Sequence, residues 1–61
     1  MVDLKKVREE AGLTQEQLAS ECYLIRQTIS NIECGLSRPS VETAKLIANV
    51  LNFSWTEFFT D

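Results

Sequence analysis

The chain has 61 residues, a net charge of −3 and a pI near 4.8, with 44% apolar and 25% charged residues. That is one small soluble-type domain, which buries only roughly 60% of its unfolded surface and needs an economical core or a partner to complete it. There is no His for acid–base or metal work, the two cysteines have no further ligands at zinc spacing, and no run approaches the roughly 20 apolar residues of a membrane span.

A first helix is expected over about Asp3 to Ala11. Asp3 can cap it, and Leu4, Val7 and Ala11 fall on one face. Gly12 suits the left-handed position just past its end. Arg8 stands next to Val7, at the edge of the apolar stripe. The second helix opens at Thr14, and Gln17 three residues on completes a capping box. Leu18, Ala19 and Cys22 share one side of it, so Cys22 reads as a small buried apolar residue. Tyr23 and Leu24 form a turn, Ile25 leads into a third helix, and Gly35 ends that helix as Gly12 ends the first.

The third helix divides sharply. Ile29 and Ile32 lie on one side, and Arg26, Gln27, Ser30 and Asn31 on the other. A solvated surface helix more often turns Glu and Lys outward. Outward Gln, Ser and Asn beside one Arg suit a surface that reads base edges. The stretch Thr14 to Glu33 therefore reads as a helix-turn-helix. The amides of Gln27 and Asn31 can accept from adenine N6 and donate to N7, while Arg26 suits guanine or phosphate equally. Gln15 stands at a helix start, where backbone N–H groups favour a phosphate. Glu33 falls near Ile29 and points toward the body, where a lone carboxylate is costly; Arg8 is the available partner.

Leu36 to Ser40 form a loop holding the only proline, Pro39, with Ser40 as the next cap. The fourth helix runs to about Val50, with Val41, Ala44, Ile47, Ala48 and Leu51 as its core stripe and Asn52 as its left-handed end. Ser54 and Glu57 suggest another capping box, opening a short fifth helix whose Trp55, Phe58 and Phe59 are expected in the core. Leu46 and Val50 lie on a nearly opposite side of the fourth helix. Trp55 or Phe59, whichever is not buried, extends them into an apolar patch, and such a patch marks an interface. A homodimer is expected to form there.

The acidic balance argues mildly against nucleic acid, whose partners are usually basic. Its placement weakens that objection. Acids gather at Glu9, Glu10, Glu16, Glu21, Glu42, Glu57 and Asp61, whereas Arg26 and Arg38 flank the proposed reading surface with Glu33 the only acid between them.

Three stretches, REEAGLTQEQLA, RQTISNIE followed by Gly35, and RPSVETAKLIANVLNFS, stand in an order and spacing that resembles the Cro/repressor helix-turn-helix family, often called the Xre family. The resemblance runs from about Leu4 to Phe59. It implies an all-α, compact five-helix lambda-repressor-like domain over residues 1–61, with the motif at 14–33, that binds double-stranded operator DNA, usually as a dimer. By position, Ile25, Arg26, Gln27, Thr28 and Asn31 would face the major groove. Gln15 would contact phosphate, with Ser30, Cys34 and Arg38 near the backbone. Arg8 would pair with Glu33. Two residues depart from the family pattern. Tyr23 replaces the usual Gly or Asn, and a bulky residue at positive φ is costly. Ile25 replaces the usual Ser, Thr or Asp cap at a cost of about 1 kcal/mol, and offers apolar contact to a thymine methyl instead.

The expected function is sequence-specific transcriptional regulation, as a repressor. Catalysis is not expected, nor any cofactor, metal, membrane or small-molecule ligand. The thiols form no disulfide framework and no leader is evident, so a reducing cytoplasm is expected. The alternative is a protein-interaction module or antitoxin-type subunit on the same fold, supported by the acidic balance and the altered turn.

Overall fold

Three of the five helix starts are written in local side chains. In the computed structural model, which describes residues 2–60, the helices are α1 (Leu4–Glu10), α2 (Gln15–Glu21), α3 (Arg26–Glu33) and α4 (Val41–Leu51), then a 3₁₀ helix at Trp55–Phe58. No strand occurs among the described residues, and Asp61 lies outside them. Asp3 accepts from the Lys6 N–H at 3.2 Å, and Ser40 accepts from the Thr43 N–H at 3.2 Å. The α2 capping box closes in both directions: Thr14 Oγ1 accepts from the Gln17 N–H at 3.0 Å, and Gln17 Oε1 from the Thr14 N–H at 2.8 Å. Ile25 caps α3 with extended backbone and no side-chain acceptor.

The helix ends share one device. The N–H of Leu13 donates to the Arg8 carbonyl, Leu24 to Ala19, Leu36 to Asn31 and Phe53 to Ala48, each bond spanning five residues. The residue before each donor is left-handed: Gly12, Tyr23, Gly35 and Asn52 have φ of 76°, 59°, 77° and 63°. Three of the donors, Leu13, Leu24 and Phe53, fold back against the core, so each stop also aims a side chain inward.

Leu4, Leu18, Ala19, Cys22, Ile29, Ile32, Ala44, Ile47 and Phe58 form that core. The radius of gyration is 10.0 Å, against about 10.5 Å for a compact chain of this length. Cys22 is fully buried and burial pushes its thiol up; Cys34 is exposed, and both thiols are free.

Four local expectations are corrected. Ala11 is exposed, because α1 ends at Glu10 and Ala11 only caps it. Val41 is 48% exposed, standing a turn before Ala44 at the free start of α4. Phe59 is exposed while Phe58 is buried, since neighbours on a 3₁₀ turn point about 120° apart and cannot both face inward. The Ser54–Glu57 box does not form. The Glu57 N–H is already taken by the Ser54 main-chain carbonyl at 3.0 Å, and Ser54 Oγ pairs with Thr56 Oγ1. The fifth helix is thus a single 3₁₀ turn.

Candidate nucleic-acid interface

α2 and α3 meet through Leu18, Ala19 and Cys22 on one side and Ile29 and Ile32 on the other, all buried. Fixing α3 by this face sends its polar face to the surface. Arg26 and Gln27 are exposed there, and Thr28, Ser30 and Asn31 are half-buried. Ile25, just before them, is 69% exposed. Gln27 Nε2 donates to Asn31 Oδ1 at 2.8 Å across one helical turn. The two amides steady one another, and Gln27 Oε1 and Asn31 Nδ2 remain as an acceptor and a donor on the same face. Cys34 and Arg38 are both exposed beyond the end of α3.

Behind this face runs a chain of polar contacts. Arg8 Nε donates to Glu33 Oε2 at 2.6 Å, Arg8 Nη2 to Glu33 Oε1 at 3.2 Å, and Arg8 Nη1 to the Leu13 carbonyl at 2.7 Å. Gln15 Nε2 donates to Glu33 Oε1 at 3.0 Å, and Gln15 Oε1 accepts from Arg26 Nε at 3.4 Å. Burial alone would raise the Glu33 carboxyl; the hydrogen bonds from Arg8 and Gln15 outweigh it and hold the group below its ordinary range. The bond to Glu33 in turn holds Arg8 above its ordinary value. Both side chains are nearly inaccessible, at 9% and 4%. The network ties α1, α2 and α3 together and ends on Arg26 at the surface.

An open cleft of about 590 Å³ lies over this network, between the end of α1 and the starts of α2 and α3. Glu9, Glu16 and Arg26 are among the residues that line it. Among the described residues no group of His, Cys, Asp and Glu could hold a metal ion, and no helix is long and apolar enough to cross a membrane.

Ile25, Arg26 and Gln27 are exposed at the start of α3, Thr28 and Asn31 are half-buried, Gln27 is joined to Asn31, and Arg8 is paired with Glu33. Two features were missed in the sequence. The bridge from Gln15 to both Glu33 and Arg26 spans residues far apart in the chain, and the Leu13 carbonyl is a backbone acceptor with no sequence signature. The Gln27–Asn31 pair did have a signal, its i, i+4 spacing. On α4 and just after the 3₁₀ helix, Leu46 is 37% and Phe59 39% exposed. Val50 and Trp55 are half-buried and pack against the core, so Val50 does not stand free on the opposite side of α4.

The helix-turn-helix family profile matches residues 4–58. The uncharacterized HTH-type transcriptional regulator YqaF of Bacillus subtilis is 45% identical over 58 residues, covering 95% of this chain and 76% of that protein. The HTH-type transcriptional activator BcrR of Enterococcus faecalis is 35% identical over 57 residues, which are 93% of this chain but 28% of its own length. Among solved structures, the N-terminal DNA binding domain of SinR from Bacillus subtilis superposes with a TM-score of 0.85 at 25% identity, over 95% of this chain and 86% of that one.

Proposed function

Since the chain belongs to the Cro/repressor-type (Xre) family of helix-turn-helix transcriptional regulators, we propose that it binds operator DNA as a homodimer in the cytoplasm, reads the major groove with α3, and represses the genes so marked. The observation that carries this reading is the Gln27–Asn31 pair, exposed on a helix whose opposite side is locked into the core. Gln27 Oε1 accepts from an adenine N6 amine and Asn31 Nδ2 donates to a purine N7, while Ile25 meets a thymine methyl. Arg26 is held by Gln15, and Gln15 keeps a second amide hydrogen for phosphate. Ser30 on α3, and Cys34 and Arg38 beyond it, lie along the DNA backbone. Two copies related by two-fold symmetry read half-sites about 34–36 Å apart.

Selection of bound sequences from random duplex DNA at low salt tests this reading. A two-fold symmetric site is expected. Gln27→Ala and Asn31→Ala should each change the preferred base at one position, at a cost of roughly 1–3 kcal/mol. A pool with no enriched sequence would overturn the reading in favour of a protein-interaction or antitoxin-type role.

A further inference from the structure

We propose that Tyr23 is a DNA-backbone contact, its ring lying along the sugar–phosphate strand beside the start of α3 and its hydroxyl donating to a phosphate oxygen. The proposal rests on the DNA-binding reading above. Four helices stop here with the same left-handed residue and the same five-residue hydrogen bond. Three of those positions hold Gly12, Gly35 and Asn52, residues that adopt this conformation readily. The fourth holds Tyr23, at φ 59°. An added Cβ at Gly12 or Gly35 would meet nothing within 4 Å, so crowding does not select glycine there; the backbone conformation does.

The tyrosine gains nothing from packing in return. At 91% it is the most exposed large apolar side chain among the described residues. A strained backbone under a side chain that touches little of its own molecule points to a contact outside it. The direction of that contact follows from its neighbours. Leu24 packs inward on the core, which turns Tyr23 and Ile25 on either side of it outward. Ile25 is followed at once by exposed Arg26 and Gln27. Tyr23 is therefore continuous with the reading face and stands at its entry. A phenol suits the backbone there, with a flat apolar ring, few rotors and a hydroxyl that donates to phosphate. It also adds contact without charge, in a domain whose reading face has only Arg26 and Arg38 as cations.

The experiment compares the parent chain with Tyr23→Gly, Tyr23→Asn and Tyr23→Phe. Melting temperature and affinity for the selected duplex and a scrambled duplex are measured at one salt concentration. Tyr23→Gly and Tyr23→Asn are expected to melt at or above the parent, yet bind both duplexes about ten-fold more weakly. Tyr23→Phe, which keeps the ring and the backbone, is expected to melt as the parent does and to lose only part of this, about three-fold, the net share of one hydrogen bond. Tyr23→Gly or Tyr23→Asn that folds and binds as tightly as a DNA-binding parent would overturn this proposal alone. Undiminished binding by Tyr23→Phe would overturn the hydroxyl–phosphate bond. A parent that enriches no duplex would overturn both the proposal and the reading beneath it.

Discussion

The Arg8–Glu33 pair shows what a single residue decides in so small a body. A 61-residue domain has a total stability on the order of 3–9 kcal/mol. Removing one partner of a buried ion pair costs about 3–5 kcal/mol, because the other charge is left without compensation. Arg8→Ala should therefore lower the melting temperature drastically or unfold the domain at room temperature. Arg8→Met combined with Glu33→Leu should recover much of the loss, since the charge and its desolvation leave together. A melting curve for Arg8→Ala that overlays the parent's would refute the energetic role of the pair. The pH dependence has a definite sign. The folded Glu33 carboxyl lies below its ordinary value of 4.5, so its contribution is fully present above that value and is lost as pH falls through the folded value. Melting temperatures between pH 7 and pH 3 should drop in the acid limb, and that limb should flatten when both members of the pair are replaced. At this scale the sequence was readable where a residue's role is set by its own helix face. The inward bearing of Glu33 named Arg8 as its partner. The Gln15 bridge was not readable, because Gln15, Arg26 and Glu33 converge only once three helices have packed.

At the scale of the element, α3 is the odd helix. Asp3, Thr14 and Ser40 each satisfy an N–H of the first turn of their helices, and Ile25 leaves that of α3 without a side-chain acceptor. Ile25→Ser should add about 1 kcal/mol, raising the melting temperature by about 4–8 °C in a domain of this size. If Ile25 reads a thymine methyl, the same substitution should also erase the preference for thymine at one position of the selected site. A more stable variant with unchanged base preference would leave Ile25 as a poor cap and nothing more. The caps that formed were legible because each needs only residues within one turn of chain. The Ser54 box failed because its N–H was claimed by a tighter turn. That turn is pinned from outside the segment, the Val2 N–H donating to the Glu57 carbonyl at 3.0 Å. Val41 and Ala11 were misread for a related reason: periodicity gives the direction of a side chain but not whether another element extends far enough to cover it.

For the whole molecule, the charge distribution and the exposed apolar end pull in one direction. Arg8 is neutralised by Glu33, Lys45 lies over the Trp55 ring at 5.1 Å, and Lys5 and Lys6 belong to α1, so Arg26 and Arg38 are the cations at and just beyond α3 and the ones proposed to meet phosphate. Two neutralised phosphates per copy give a slope of log affinity against log salt of about −1.8 for a monomer and about −3.6 for a dimer. Arg38→Ala should weaken all sequences alike and flatten that slope by about 0.9 per copy; a base-specific loss would assign Arg38 to reading instead. So few cations give little affinity from one copy, which makes pairing the natural source of the rest. The exposed Leu46 follows Lys45 in the chain, and Lys45 covers Trp55, whose ring meets Phe59 edge-on at 6.0 Å between centroids. These residues belong to α4 and the 3₁₀ end, not to α3, so a second copy seated on them would leave both α3 helices free. Val50 already packs on the core, so a charge there would damage the fold; the test belongs on Leu46 and Phe59. Leu46→Glu with Phe59→Glu should keep the helical spectrum and melt within a few degrees of the parent, because both positions are exposed. Light scattering should show the parent as a dimer and the variant as a monomer, and the variant should lose most affinity for the symmetric site while retaining weak binding to a half-site. A parent that scatters as a monomer at high micromolar concentration, with and without DNA, would rule out the homodimer.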